Sequence, residues 1–379
     1  MNGNRKEPKL NEDAIEMMAV AALEKLGYRY FYGPDIAPDG DNPQRSDYSE
    51  TLLFAPLEAA ISRLNPKLPA AAQAEARRAL QRLNSPELIA NNETFHRLLT
   101  EGIPVSYQKD GNTRGDRLWL VDFTHPEKNE YWVVNQFTVI QDGVNKRPDL
   151  ILFVNGLPLV VIELKNAADQ NATLLSAFKQ LETYKASIPD LFNTNGLLVI
   201  SDGLEARAGS LSAGFSRFMA WKAEEEHGTL ASPELETLIQ HLLPPKVLLD
   251  LIRHFTVFEA TKEEDLTTGI VTVKTVKKVA AYHQNYAVNK AVDSTLRAVD
   301  LNREPSVLRE NPALYGLPSV QNQPKGDRKA GVVWHTQGSG KSLSMVFYTG
   351  KIVLTLDNPT VLVITDRNDL DDQLFDTFA

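Results

Sequence analysis

The sequence predicts an α/β chain in two parts: a mixed sheet flanked by helices, then the opening of a second, parallel α/β lobe. Three observations carry that expectation. Helical periodicity gives way to apolar strands near Leu118 and returns as one helix before a further strand at 196–201. Asn155-Gly156 stands between two apolar runs, the strongest short signal for a tight hairpin. Last, His335-Thr336-Gln337-Gly338-Ser339-Gly340-Lys341-Ser342 lies between the apolar run 331–334 and a helical stretch at 343–351, with an apolar strand after it at 360–365.

In chain order, residues 12–26 read as an amphipathic helix, with Ile15, Ala19, Ala22, Leu23 and Leu26 on one arc and Gly27 as its stop. Helices follow at 50–63 and 70–83, separated by Asn65-Pro66. The runs 118–123, 131–140, 150–154 and 159–164 are rich in β-branched, aromatic and leucine residues and read as strands. A helix at 173–186 and the strand 196–201 complete the first part. Beyond Ser232 the pattern is helical again, and Pro244-Pro245 marks a boundary. The expected division is a first domain over 1–245, a helical connection over 246–280, and a second domain over 281–379 that opens with a helix around 280–288. Residues 302–328 are polar and proline-rich and read as an inserted loop or lobe.

Bulk properties exclude several classes. The 379 residues suffice for two domains, and 42% hydrophobic content is that of ordinary globular proteins. With no cysteine there is neither a disulfide framework nor a zinc-thiolate site, which suits a reducing cytoplasm. No apolar run approaches membrane-spanning length, so no membrane association is expected. A net charge of −9 argues against a protein that coats nucleic acid, while leaving room for a local basic patch.

The glycines of the 335–342 segment let successive N–H groups converge on an anion, and the helix beginning near Lys341 adds its positive end. Lys341 would reach the β- and γ-phosphates of a nucleoside triphosphate, and the Ser342 hydroxyl would hold Mg²⁺. His335 replaces the first glycine of the strict pattern.

A second constellation sits on the hairpin. Arg147-Pro148-Asp149 enters its first strand, and Glu163-Leu164-Lys165 closes its second. Charges at the ends of paired apolar strands are costly unless they have a partner or a metal. Alternation puts Glu163 and Lys165 on one face. A three-residue loop 155–157 would set Asp149 opposite Glu163, whereas a plain two-residue loop would set it opposite Ile162. A metal site on these acids therefore predicts a bulged or three-residue turn. Two carboxylates holding Mg²⁺, with Lys165 to orient or deprotonate water, is chemistry suited to phosphodiester hydrolysis. One helix later, Gln180 and Tyr184 share a face at i, i+4, either as ordinary half-buried residues or as groups that contact DNA or orient the acids. In the first helix, Glu12 and Glu16 are each either a solvated edge or a further metal carboxylate, and Glu16 is preferred as the ligand.

These residues together resemble the N-terminal part of the restriction (R, motor) subunit of type I restriction-modification enzymes. The resemblance rests on Asn135-Gln136-Phe137-Thr138-Val139, Arg147-Pro148-Asp149, the runs 153–159 and 161–165, the stretch 334–342, and 365–374. It implies a PD-(D/E)xK nuclease domain followed by an incomplete RecA-like, superfamily 2 helicase lobe. Asp149, Glu163 and Lys165 become nuclease residues, and Gln180 with Tyr184 an accessory Q-x-x-x-Y motif. Gln284 becomes an upstream adenine-recognising glutamine. Thr336, Gln337, Gly338, Ser339, Gly340, Lys341 and Ser342 become the binding site for ATP and Mg²⁺, while Asp366 and Arg367 fall in a motif that faces DNA in related motors. The implied partners are double-stranded DNA and separate modification and specificity subunits.

The resemblance also implies motor motifs and a second lobe beyond these 379 residues. The chain is therefore expected to be a fragment, with the type I deoxyribonuclease site and without ATPase or translocase activity of its own. Two rivals stand beside this reading: a catalytically silent DNA-binding or assembly module, and a helicase whose hairpin acids are accidental.

Overall fold

The computed structural model describes residues 12–166, 173–222, 234–264, 271–299 and 325–364. These fall into two compact units, one made of 1–249 with 260–278 and the other of 250–259 with 279–379.

The first unit begins with helix α1 (Glu12–Lys25) and strand β1 (Arg29–Tyr32), then helices α2 (Phe54–Leu64), α3 (Ala70–Gln81) and α4 (Leu88–Glu101). A separate antiparallel hairpin follows, β2 (Ile103–Lys109) with β3 (Asn112–Leu118). Next come β4 (Tyr131–Asn135), the small hairpin of β5 (Val139–Gln141) and β6 (Val144–Lys146), and the central strands β7 (Leu150–Val154) and β8 (Leu157–Leu164). Helix α5 (Leu174–Ser187) leads to β9 (Leu197–Ser201) and β10 (Ala206–Gly209). The main sheet has the order β1-β4-β7-β8-β9-β10. Its β1–β4 and β8–β9 pairs are parallel and the others antiparallel, so the expected mixed sheet is present.

Helices cover both faces of this sheet. Val134 of β4, Ile151 and Phe153 of β7, and Val161 of β8 pack with Ala177, Leu181 and Tyr184 of α5. Asn135 alternates with Val134 and so turns to the opposite face, where it bonds Glu16 of α1. Every residue of β7 and β8 is buried, which explains why both read as unbroken apolar runs.

The β7–β8 turn decides the register. Asn155 and Gly156 both have positive φ, 51° and 80°, as a two-residue primed turn requires. Val154 accordingly faces Leu157, and Phe153 faces Pro158. Leu152 then pairs with Val160, so Leu159 is an extra residue and the strand is bulged. From there Leu150 pairs with Ile162, which sets Asp149 opposite Glu163. The turn is two residues long, and the bulge supplies the one-residue shift.

Asn155 is fully buried and ties the turn down, donating to the Leu120 carbonyl and to Asn129 Oδ1, each at 2.9 Å. A Cβ on Gly156 would lie 2.3 Å from the Leu53 carbonyl oxygen. With its positive φ as well, Gly156→Ala is expected to destabilise the first unit by on the order of 2 kcal/mol, read as a lower thermal midpoint.

Several expectations need correction. Residues 119–123 are not a strand, because amide side chains take the backbone groups a neighbouring strand would pair. Asn65 bonds both the N–H and the C=O of Trp119 at 2.8 Å, and Asn129 does the same for Asp122 at 2.9 and 2.8 Å. The run 131–140 is interrupted at Gln136, whose φ is 53°, and so divides into β4 and β5. The helix expected at 50–63 begins only at Phe54. Sequence periodicity also missed β1, α4, the β2–β3 hairpin, β6 and β10.

After α6 (Glu234–Leu242) and α7 (Pro245–His254) the chain forms a two-stranded sheet of β11 (Thr256–Glu264) and β12 (Val271–Val279), where a helical connection was expected. In the second unit, α8 (Tyr282–Ala298) and α9 (Lys341–Thr355) pack together. The segments 331–334 and 360–364 are not strands: a strand exists only by pairing, and neither has a paired neighbour among the described residues. Val332 and Trp334 are each 91% exposed. The 302–324 part of the expected loop and all of 365–379, with Asp366 and Arg367, lie outside the described residues.

Candidate active site

The acids of the hairpin converge at one end of the main sheet. Asp149, just before β7, accepts the Leu164 N–H on Oδ2 at 2.6 Å, which locks its carboxylate across the end of β8. Glu163 shares the face of Val161 and lies beneath α5, 1% exposed. Its Oε1 accepts from Lys165 Nζ at 2.7 Å. Its Oε2 is buried with no hydrogen-bond partner among the described residues. Lys165 extends the β8–β9 pairing by donating its N–H to the Ser201 carbonyl at 2.8 Å.

Burial and crowding of like charges set the electrostatics. Burial pushes the Asp149 carboxyl up to about 6, although the Leu164 N–H and Lys165 pull the other way. Glu163 is pushed up to about 8, by burial first and then by Asp149. Burial works against the Lys165 ammonium, yet Glu163, Asp149 and Glu12 together outweigh it and the pKa of Lys165 ends raised. Near neutral pH the pair therefore retains a proton, since two facing buried carboxylates cannot both ionise without added positive charge.

That is the condition a divalent cation satisfies. The orphaned Glu163 Oε2, an all-oxygen donor pair and the raised carboxyl pKa values fit a hard cation such as Mg²⁺. No three His, Asp or Glu side chains form one metal-ligand group among the described residues. Remaining positions on such a cation would fall to backbone carbonyls, water or phosphate oxygens.

Of the two α1 acids, Glu16 is buried and both its oxygens are taken, Oε1 by Asn135 Nδ2 at 2.7 Å and Oε2 by Gln136 Nε2 at 2.9 Å. Glu12, at the helix start, instead meets Lys165 at 3.2 Å. Asn135 and Gln136 went unassigned in the reading of single residues. The signal was available, since two amides ending an apolar strand are as anomalous as Asp149 and Glu163.

Gln180 and Tyr184 meet as their spacing predicts, with Gln180 Nε2 donating to the Tyr184 hydroxyl at 2.8 Å. That hydroxyl donates to the Arg147 carbonyl at 3.3 Å, bracing the segment that carries Asp149. Burial and then the nearby Glu163 carboxylate push the pKa of Tyr184 up.

In the second unit the 335–342 loop leads into a helix as expected, without the strand expected before it. Gly338 and Gly340 take positive φ, 80° and 76°, and Lys341 opens α9. Lys341 Nζ folds over the loop, donating to the carbonyls of His335 at 3.2 Å and Thr336 at 2.9 Å, so an anion would replace carbonyl oxygens around it. Thr336, Gln337, Gly338 and Gly340 are exposed, while Ser339 and Ser342 are half-buried. Gln284 is brought to the loop: its Oε1 accepts from the Ala281 N–H at 2.9 Å, and its Nε2 donates to the Gly340 carbonyl at 3.0 Å. His283, which carried no expectation, lies 3.1 Å through Nε2 from the Ser339 carbonyl.

Comparison with known proteins bears on both sites. Residues 9–217 match the family model described as type I restriction enzyme R protein N terminus, and 283–379 match that of the SWI2/SNF2 ATPase. The chain is 43% identical over 98% of its length to the type I restriction enzyme HindI endonuclease subunit of Haemophilus influenzae, covering 33% of that protein. It is 30% identical over 98% of its length to a putative type I restriction enzyme endonuclease subunit, MjaIXP, of Methanocaldococcus jannaschii, covering 34% of that relative. A Staphylococcus aureus type I endonuclease subunit, SauMSSORF170P, is 24% identical over 97% of the chain. The chain thus spans about a third of the length of the curated relatives it matches. No helix among the described residues is long and apolar enough to cross a membrane.

Proposed function

This chain belongs to the family of type I restriction enzyme R protein N termini, and from that premise we propose that its first unit is a PD-(D/E)xK endonuclease centre that cleaves double-stranded DNA with Mg²⁺. The observation that carries the proposal is the Leu159 bulge, which sets Asp149 opposite Glu163, whose Oε2 is buried with no hydrogen-bond partner among the described residues. Asp149 and Glu163 would hold the cation, which would supply positive charge and Lewis acidity for phosphodiester hydrolysis. Lys165 would orient the attacking water and offset the negative charge that develops on phosphate. Gln180 and Tyr184 brace the strand entrance and face the DNA. Glu16, with both oxygens held by Asn135 and Gln136, would serve as an outer carboxylate that fixes those two amides beside the site.

The second unit is read as the start of a RecA-like lobe that binds ATP with Mg²⁺. Backbone N–H groups of Thr336, Gln337, Gly338, Ser339 and Gly340 would cradle phosphate, Lys341 would neutralise it, and Ser342 would meet the metal. Gln284 serves this site by bracing Gly340. In a longer protein, acting in the cytoplasm with modification and specificity subunits, ATP-driven translocation would be coupled to cleavage of unmodified DNA.

Calorimetry with Mn²⁺ tests the metal centre. At pH 7 the chain is expected to bind the ion and release about one proton, visible as a heat that depends on the buffer, because Glu163 titrates at about 8. Asp149→Ala is expected to bind at least about tenfold more weakly. Equal binding by both proteins would count against the nuclease centre and favour a silent assembly module.

A further inference from the structure

Lys165 spends all three of its N–H groups. Its Nζ donates to Glu163 Oε1 at 2.7 Å, to the Leu164 carbonyl at 2.9 Å and to Glu12 Oε1 at 3.2 Å. The two carboxylates differ in setting. The Glu163 side chain is 1% exposed, whereas that of Glu12, from the first turn of α1, is 47% exposed.

We propose that Glu12 is a positioning residue, the carboxylate that keeps Lys165 in the site when a divalent cation takes Glu163. The inference rests on the metal centre proposed above. A cation drawing on Glu163 meets an ammonium already seated on Oε1, and two positive charges on one carboxylate repel. The cation would take Oε2, the oxygen with no partner among the described residues, so Lys165 needs a second anion if it is to stay beside the phosphate. Neither other acid can receive it in this arrangement. Asp149 spends Oδ2 on the Leu164 N–H and is the second cation ligand. Glu16 has both oxygens held by Asn135 and Gln136. Glu12 already touches Lys165 and has solvent around it in which to follow the ammonium. Its role is thus exerted through Lys165, and it does not ligate the cation.

A double-mutant cycle on the whole chain tests this, with Mn²⁺ calorimetry as the readout and metal-free thermal unfolding to confirm that each variant folds. Glu12→Gln is expected to weaken Mn²⁺ binding about three- to tenfold, because the cation then faces a less compensated Lys165. In the Lys165→Met background the same substitution is expected to change the affinity by less than about twofold. An equal loss in both backgrounds would overturn the proposal, since Glu12 would then act on the cation or on the packing of α1. No loss in the wild-type background would overturn it as well. Failure of the metal centre itself is distinguishable: wild type and Asp149→Ala would bind Mn²⁺ alike, which sinks both readings together.

Discussion

Lys165→Ala and Asp149→Ala are each expected to reduce the Mg²⁺-dependent cleavage of plasmid DNA proposed for the first unit by on the order of 10³-fold, measured on the chain itself. Asp149 is one of the two facing side-chain carboxylates proposed to hold the cation, and its Oδ2 is fixed by the Leu164 N–H. Removing it leaves Glu163 with no facing acid. Lys165 is the cation that contacts Glu163, and its loss removes both the water-orienting group and a positive charge beside the phosphate. Both variants are expected to fold, because each truncation sits at a strand end and leaves the paired register of β7 and β8 in place. Cleavage within about tenfold of wild type in either variant would remove the hairpin from the catalytic account and favour a helicase with accidental acids.

Glu163→Gln is expected to stabilise the metal-free protein at pH 8 while abolishing tight Mn²⁺ binding. The proton on Glu163 is held up to about 8 in the folded chain, from an ordinary 4.5, and that on Asp149 up to about 6, from 3.8. Between those limits the folded state binds more protons than the unfolded state, so stability falls as pH rises. The favourable contribution is complete below about pH 4 and is lost by about pH 8 to 9. The loss is on the order of a few kcal/mol for the coupled pair. A neutral glutamine has no proton to lose, so the thermal midpoint of Glu163→Gln should vary much less over the same range. Saturating Mn²⁺ should likewise protect the wild type at pH 8. Identical pH profiles for wild type and variant would show that Glu163 does not retain its proton.

Much of the site was legible because its residues violate local rules. Charges that end apolar strands, an Asn-Gly turn and a Gly-Ser-Gly-Lys-Ser stretch are each costly or conformationally specific, and each lies where expected. The pairing of Gln180 with Tyr184 follows from helical geometry alone. Gln284 was flagged only through a resemblance, and helix packing in the second unit brought it to Gly340. The strand expected at 118–123 failed for a different reason. Its apolar pattern is real, with Leu120 and Val121 buried, but Asn65 and Asn129 satisfy the backbone there, and no periodicity reports on a side chain 54 residues away.

The sequence by itself determined which residues are candidates for chemistry, two acids and a lysine on one hairpin and a glycine-rich loop on a second unit, and, through the match over 9–217, the family of the first unit. Only the tertiary structure decided whether those acids meet. The residues 157–164 are buried on both faces, so their apolar run is continuous and carries no period-two signal from which register could be read. An extra residue at Leu159 is silent in such a run. It becomes visible only when β8 is paired with β7, where the shift of one residue brings Asp149 across from Glu163.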